Sequence, residues 1–238
     1  MYLTEDLVEK IKDNTSTEFS QSRLSQSSVI DLCDQESLKR IRPIISDLQK
    51  EFFVITQNVT LAASTKRYRL PKRAAARGLR EIYLTSGTNR YPLAQITREE
   101  ATLVEETGEG IPERFYFEAD SIVINRPLSS EMTLVIVIEV SPGKLALAST
   151  YTTVSSVDFD TGVVTVAGTP TGFGTAVPYD FVQSLNYGNA ALAVGLTPIS
   201  VSGTTYTFTA SELPETLQAG DYFCLAGNTP IPSIEIVT

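Results

Sequence analysis

The 238-residue chain contains no histidine and no tryptophan, and only two cysteines. Without histidine it lacks the commonest general base at neutral pH and the commonest zinc ligand, so histidine-dependent hydrolysis is excluded and zinc sites built on histidine are too. Cys33 and Cys224 lie far apart, and neither has a second Cys or a His at metal-ligand spacing. Cys33 falls among the apolar positions of a helical pattern and Cys224 within Tyr222-Phe223-Cys224-Leu225. Two buried, reduced thiols are the plain reading, and nothing in the sequence supports a disulfide between them. Long apolar runs are missing too. Leu134-Val135-Ile136-Val137-Ile138 is strand-sized, whereas a membrane-spanning helix needs about 20 residues. Glu5, Asp6, Glu9, Lys10 and Lys12 crowd the N-terminus where a signal peptide would carry its apolar stretch. These features lead to the expectation of a soluble chain made in a reducing cytoplasm, with no membrane partner.

Positive charge is unevenly spread. The net charge is −9, yet Lys144 is the last basic residue, and only acids carry side-chain charge beyond it. The later part is rich in Thr, Ser, Gly and Val, a sheet-forming composition with frequent turns. That shift sets an expected boundary near 145–150. The expected organisation is a helical part over 1–60, a central β-domain over 61–148, and a second β-rich domain over 149–238 with an extended tail.

Periodicity gives the elements. Leu3, Leu7, Val8 and Ile11 recur at helical spacing after a candidate cap at Thr4. The Ser/Thr/Gln-rich stretch 13–26 reads as a loop. Ser28 then caps a second helix with Ile30, Cys33, Leu38, Ile41, Ile45, Leu48 and Phe52 on its apolar stripe. Pro43 lacks an amide proton and crowds the carbonyl four residues back, which predicts two helical pieces, 28–41 and 43–52. From Phe53 onward the period becomes two. Strands are expected near 53–55, 68–70, 81–84, 115–118, 122–125, 133–140, 154–159, 162–166, 180–185, 199–202, 205–209 and 220–226. Hairpin turns are expected at Ala119-Asp120, at Asp160-Thr161-Gly162 and at Ser202-Gly203-Thr204. The fold class is α+β: short N-terminal helices followed by antiparallel sheets of sandwich or barrel type.

Several motifs resemble chemistry only superficially. Asp158-Phe159-Asp160-Thr161-Gly162 opens like a calcium loop, but the following residues are apolar and strand-like, so a hairpin turn is the better reading. Glu99-Glu100 and Glu105-Glu106 read as a solvated helical surface rather than an acid–base pair. Gly172-Phe173-Gly174 lacks the Lys-Ser/Thr of a phosphate loop and reads as a flexible turn. No catalytic residue, metal site or cofactor is expected.

An ordered series of short motifs carries a resemblance. Tyr68-Arg69-Leu70-Pro71 and Leu79-Arg80-Glu81-Ile82-Tyr83-Leu84 are followed by Tyr91-Pro92-Leu93, Gly110-Ile111-Pro112 and Phe115-Tyr116-Phe117. Ile122-Val123-Ile124-Asn125-Arg126-Pro127, Leu134-Val135-Ile136-Val137-Ile138-Glu139 and Ser141-Pro142 complete the central part. Outside it stand the opening from Leu3 to Lys12, Asp34-Gln35-Glu36, Pro43-Ile44-Ile45, Lys50-Glu51-Phe52-Phe53-Val54, and the late segment from Ala219 to Pro232. In this order the series resembles the head-to-tail adaptor (connector) proteins of tailed bacteriophages. The resemblance implies a virion structural protein of the neck, made in the host cytoplasm, that catalyses nothing. Its implied partners are further copies of itself in a ring (a dodecamer in the family's manner), the portal protein and a tail or nozzle protein. Double-stranded DNA would pass through the lumen without sequence-specific binding. Where relatives continue into a helical C-terminal region, this chain has Ile231-Pro232-Ser233-Ile234-Glu235-Ile236-Val237-Thr238. Ile234 and Ile236 alternate as in a strand and are candidate contacts to a neighbouring subunit or the portal.

The basic segment Lys66, Arg67, Arg69, Lys72, Arg73, Arg77 and Arg80 is the one charge cluster with a functional reading. It could contact packaged DNA, form ion pairs with neighbouring subunits and the portal, or be an ordinary solvated loop. Of the functional readings, protein contacts are favoured, because every phosphate neutralised would grip DNA that must slide. Arg67, Arg69, Lys72, Arg73 and Arg77 are therefore candidate subunit or portal contacts. Alternatives are another neck or tail component of terminator or nozzle type, a carboxylate-based hydrolase, or a carbohydrate-binding β-sandwich module. The last would need an aromatic platform, and the chain offers Tyr and Phe but no Trp.

Overall fold

The computed structural model describes residues 3–15, 25–48, 50–71, 73–104, 108–184 and 191–230. Helices come first and antiparallel sheets follow, an α+β architecture. Helix α1 (Thr4–Thr15) starts on a side-chain anchor: the Leu3 N–H donates to Asp6 Oδ2 at 2.8 Å. Thr4 lies within the helix, and both its N–H and its hydroxyl donate to the Pro230 carbonyl, tying the first helix to the far end of the described chain. The stretch expected as a loop from 13 is helical to Thr15, and 16–24 lie outside the described residues.

Helix α2 (Gln26–Glu36) is capped by Ser25, whose hydroxyl accepts from the Ser28 N–H, so the cap falls three residues before the expected one. The expected break at Pro43 takes another form. The chain passes through a π-helical turn, Ser37–Ile41, into α3 (Arg42–Leu48), and the Arg42 N–H bonds back to the Ser37 carbonyl. Proline supplies no N–H for the Lys39 carbonyl, and the wider turn makes room for its ring without breaking the helix. Helix α3 stops at Leu48, short of the expected Phe52.

Four strands form the first sheet: β1 (Val54–Leu61), β3 (Ala74–Ser86), β4 (Asn89–Pro92) and β8 (Met132–Val140), in the order β1-β8-β3-β4. A second four-stranded sheet has the order β2-β7-β6-β5, from β2 (Arg67–Arg69), β5 (Ala94–Gln95), β6 (Arg114–Glu118) and β7 (Ser121–Ile124). The β6–β7 hairpin turns at Ala119-Asp120 as expected, with Ala119 at φ 54°. Ile55, Val59, Ile82, Leu134, Ile136 and Ile138 from the first sheet meet Phe115, Ile122 and Ile124 from the second in one core. The short helix α4 (Arg98–Val104) packs beside β6.

After β9 (Lys144–Leu145), a seven-stranded sheet runs in the order β13-β12-β16-β10-β11-β15-β14. Its members are β10 (Tyr151–Asp158), β11 (Val163–Val166), β12 (Tyr179–Val182), β13 (Ala191–Leu196), β14 (Ser200–Ser202), β15 (Thr205–Thr207) and β16 (Tyr222–Leu225). Ala193 and Leu196 at one end share a core with Tyr206 near the other, so the sheet folds upon itself, aided by a bulge in β10 between Val154 and Ser156. Tyr179, Phe181, Tyr206, Phe208 and Phe223 are fully buried there, and Tyr179 stacks on Phe223 with ring centroids 4.3 Å apart. Two ties join the parts. β17 (Asn228–Thr229) pairs in parallel with β9, and β13 sends Ala191 and Val194 to the first core but Ala193 and Leu196 to the second.

The calcium-like stretch is a hairpin turn, in which Asp158 Oδ1 accepts from the Asp160 and Thr161 amides at 3.0 and 3.2 Å. Phe173, expected in a flexible turn, instead anchors it, its ring packing on Tyr179, Tyr206 and Phe223. Both cysteines are free thiols. Cys224 is fully buried, which pushes its thiol well above the usual range, while Cys33 is half-buried. Among the described residues, no helix is long and apolar enough to cross a membrane.

Candidate functional site

The basic segment divides into an outer and an inner part. Strand β2 lies at a sheet edge, which leaves Arg67 and Arg69 exposed, and both arginines point their charge at the β6–β7 hairpin. Arg67 pairs with Glu118 and Arg69 with Asp120. Arg98 of α4 reaches the other Glu118 oxygen at 3.0 Å. Hydrogen bonds from Arg69 and Ser121 hold the Asp120 carboxyl below its ordinary range. Arg67, Arg69 and Arg98 of α4 therefore share the two hairpin acids Glu118 and Asp120, and their charge is already partly met within the chain. Arg80, in β3, approaches Glu139 at 3.7 Å, a carboxylate it shares with Arg42 at 3.1 Å.

Arg73 is placed differently. Its side chain is only 6% exposed, so its charge is spent inside the chain rather than on a contact surface. Nε donates to the Ser141 carbonyl at 2.8 Å and Nη1 to Asp180 Oδ2 at 2.8 Å. Asp180, fully buried on β12, also accepts the Gly195 N–H at 2.7 Å on Oδ1 and the Gly227 N–H at 2.8 Å on Oδ2. Three segments distant in sequence thus converge on one carboxylate. Gly195 reaches it at φ 70°, with its Cα hydrogen side against Pro71. Lys72, Ile234 and Ile236 lie outside the described residues, and Arg77 lies on β3 with its side chain outside them.

Asp180 is not among the sequence-derived candidates. The signal was there: an acid inside the apolar run Tyr179-Asp180-Phe181-Val182, in a region with no basic residue of its own. A buried carboxylate in such a place must take its cation from another part of the chain.

The acidic helix α4 also resolves into structure. The Thr97 N–H donates to Glu100 Oε2 at 2.8 Å and the Glu100 N–H to Thr97 Oγ1 at 3.2 Å, a reciprocal helix cap. Hydrogen bonds from the Thr97 backbone and side chain draw the Glu100 carboxyl below its ordinary range. Glu105 and Glu106 lie outside the described residues. The chain matches no protein-family model and no curated protein sequence.

Proposed function

We propose that the chain is a virion structural protein of the tailed-phage neck, forming a ring that joins the portal to the tail and lets DNA pass. The observation that carries this reading is the order of the adaptor-like motifs from Tyr68 to Pro142, flanked on both sides by further matching segments. Two physical features support it. The helical arm ends in apolar residues that face solvent, with Ile44 58% and Leu48 79% exposed, a surface suited to packing against a neighbour. The net charge of −9 suits a passage along which DNA slides rather than binds. The mechanism is binding and the transmission of symmetry between partners. Arg67, Arg69, Lys72 and Arg77, with Ile234 and Ile236, remain the candidate contacts to subunits or portal.

Each contact between ring subunits is weak alone, whereas closure makes many together. The isolated protein is therefore expected as a monomer by native mass measurement, and as a multi-copy ring once purified portal is added. A stable dimer indifferent to portal would overturn the reading.

A further inference from the structure

Strand β1 forms one edge of the first sheet, and among the described residues part of that edge is open. Its odd-numbered residues turn their backbone groups toward β8, as when the Phe53 carbonyl just before it accepts the Val140 N–H at 2.8 Å. Even-numbered residues turn away from β8. At the two ends the outward amides are used within the chain: Val54 N–H donates to the Glu51 carbonyl at 3.1 Å, and Thr60 N–H to Glu212 Oε1 at 3.2 Å. Between them, no hydrogen bond of the described residues reaches the outward amides of Thr56 and Asn58.

This open stretch lines a groove of about 410 Å³. Its opposite walls are β13 from Ala191 to Ala193 and the turn over 212–216 that follows the short 3-10 turn Ala210–Glu212. Glu212 and Glu215 are among the lining residues, and among the described residues no Lys or Arg lines it. Burial raises the Glu212 carboxyl above its ordinary range, with the Thr60 amide only partly opposing that shift.

We propose that this groove receives an extended, basic segment of a partner polypeptide, which adds to β1 beside Thr56 and Asn58 and places Lys or Arg against Glu212 and Glu215. An incoming strand would satisfy the outward backbone groups that the sheet leaves open, and its alternating side chains would meet the two carboxylates. The charge excludes an acidic occupant. The chain's own last residues, from Ile231 to Thr238, include Glu235 and no basic residue, so they are a poor match. This groove is a different surface from the arginine-rich edge, and its occupancy is independent of ring formation.

The test uses the full chain and two fluorescein-labelled hexapeptides with valine at alternate positions, one carrying lysine between the valines and the other glutamate. Anisotropy should show saturable binding of the lysine peptide, at least about tenfold tighter than that of the glutamate peptide. Glu215→Lys, in an exposed turn, should remove most of that preference. Amide exchange at Thr56 and Asn58 should slow when the lysine peptide is added, and Asn58→Pro should abolish binding, since that N–H is outside the β8 ladder. If Asn58→Pro fails to fold, the exchange measurement still decides. Equal binding of the two peptides, no saturable binding of the lysine peptide, or protection elsewhere with Thr56 and Asn58 unchanged would each overturn the proposal.

Discussion

The Arg73 guanidinium donates to Asp180 Oδ2 across 2.8 Å, and this pair fastens the segment before β3 to strand β12 in the interior. Removing one member leaves the other charge buried without compensation, a loss of about 3–5 kcal/mol. Asp180→Ala should cost more than Arg73→Leu, because the Gly195 and Gly227 amides also lose their acceptor. Urea unfolding of both single variants and of the double variant measures the coupling. Losses below about 1 kcal/mol for each single variant would mean that water reaches the pair.

That pair marks where sequence reading stopped. Local chemistry was legible: Ala119-Asp120, Asp160-Thr161-Gly162 and Ser202-Gly203-Thr204 all turn hairpins where their residue types require it. The alternation in 133–140 also located β8 within a residue. Strand β13 escaped notice because Ala191-Leu192-Ala193-Val194-Gly195 carries no polar alternation, being buried on both faces between two cores. The first half of β3 escaped for a similar reason, as Ala74-Ala75-Ala76-Arg77-Gly78 has no period of two. Long-range pairings, such as β9 with β17 or Thr4 with Pro230, leave no mark on either segment alone. The arginine segment could be seen as charged, but its division into exposed Arg67 and Arg69 and buried Arg73 depends on partners some 50 and 107 residues away.

Gly162 and Gly203 provide a paired test of turn geometry. Both have positive φ, 71° and 59°, but a Cβ at Gly162 would stand 2.2 Å from the Phe208 carbonyl oxygen while one at Gly203 meets nothing within 4 Å. Gly203→Ala should therefore show only the left-handed penalty, about 1–2 kcal/mol. Gly162→Ala must also displace backbone and should lose clearly more stability. Equal losses in thermal or urea unfolding would show that the β10–β11 turn relaxes freely.

Glu212 predicts a pH dependence whose sign follows from burial. Its folded-state pKa is raised above the ordinary 4.5, so the folded chain holds this proton more tightly than the unfolded one. The contribution is thus fully favourable below the unfolded value and is lost as pH rises through the folded value. Glu212→Gln keeps an oxygen for the Thr60 N–H but removes the titration. Relative to the parent, the variant should gain stability as pH rises from 4.5 toward neutrality, measured by urea midpoints across that range. A difference that stays flat with pH would show that Glu212 is solvated in the folded chain.

The exposed arginines should behave in the opposite manner to Arg73. Arg67 and Arg69 pair with Glu118 and Asp120 at the surface, where such pairs contribute about 0–1 kcal/mol each. Arg67→Gln combined with Arg69→Gln should leave the unfolding midpoint within that small range. If these residues face neighbouring subunits or the portal, the same double variant should reduce the amount of ring formed on purified portal in native mass measurements. Normal ring formation would remove Arg67 and Arg69 from the contact surface.

Pro43 offers a direct test of the π-helical turn. The turn places the Arg42 N–H on the Ser37 carbonyl and brings the Arg42 side chain to Glu139 at 3.1 Å and to Ser141 at 3.4 Å. Pro43→Ala restores an N–H that can bond to the Lys39 carbonyl and removes the ring that crowds it, a change of about 3 kcal/mol in helix preference. The expected result is a continuous α-helix from α2 into α3, with a stronger helical circular-dichroism signal. Closing the wide turn rotates everything beyond it, so the Arg42 side chain should leave Glu139, and Arg42→Ala should then cost less in the variant than in the parent. If the helical signal and the Arg42 effect are both unchanged, the tether to Glu139 maintains the turn, and proline merely occupies a bend that packing has imposed.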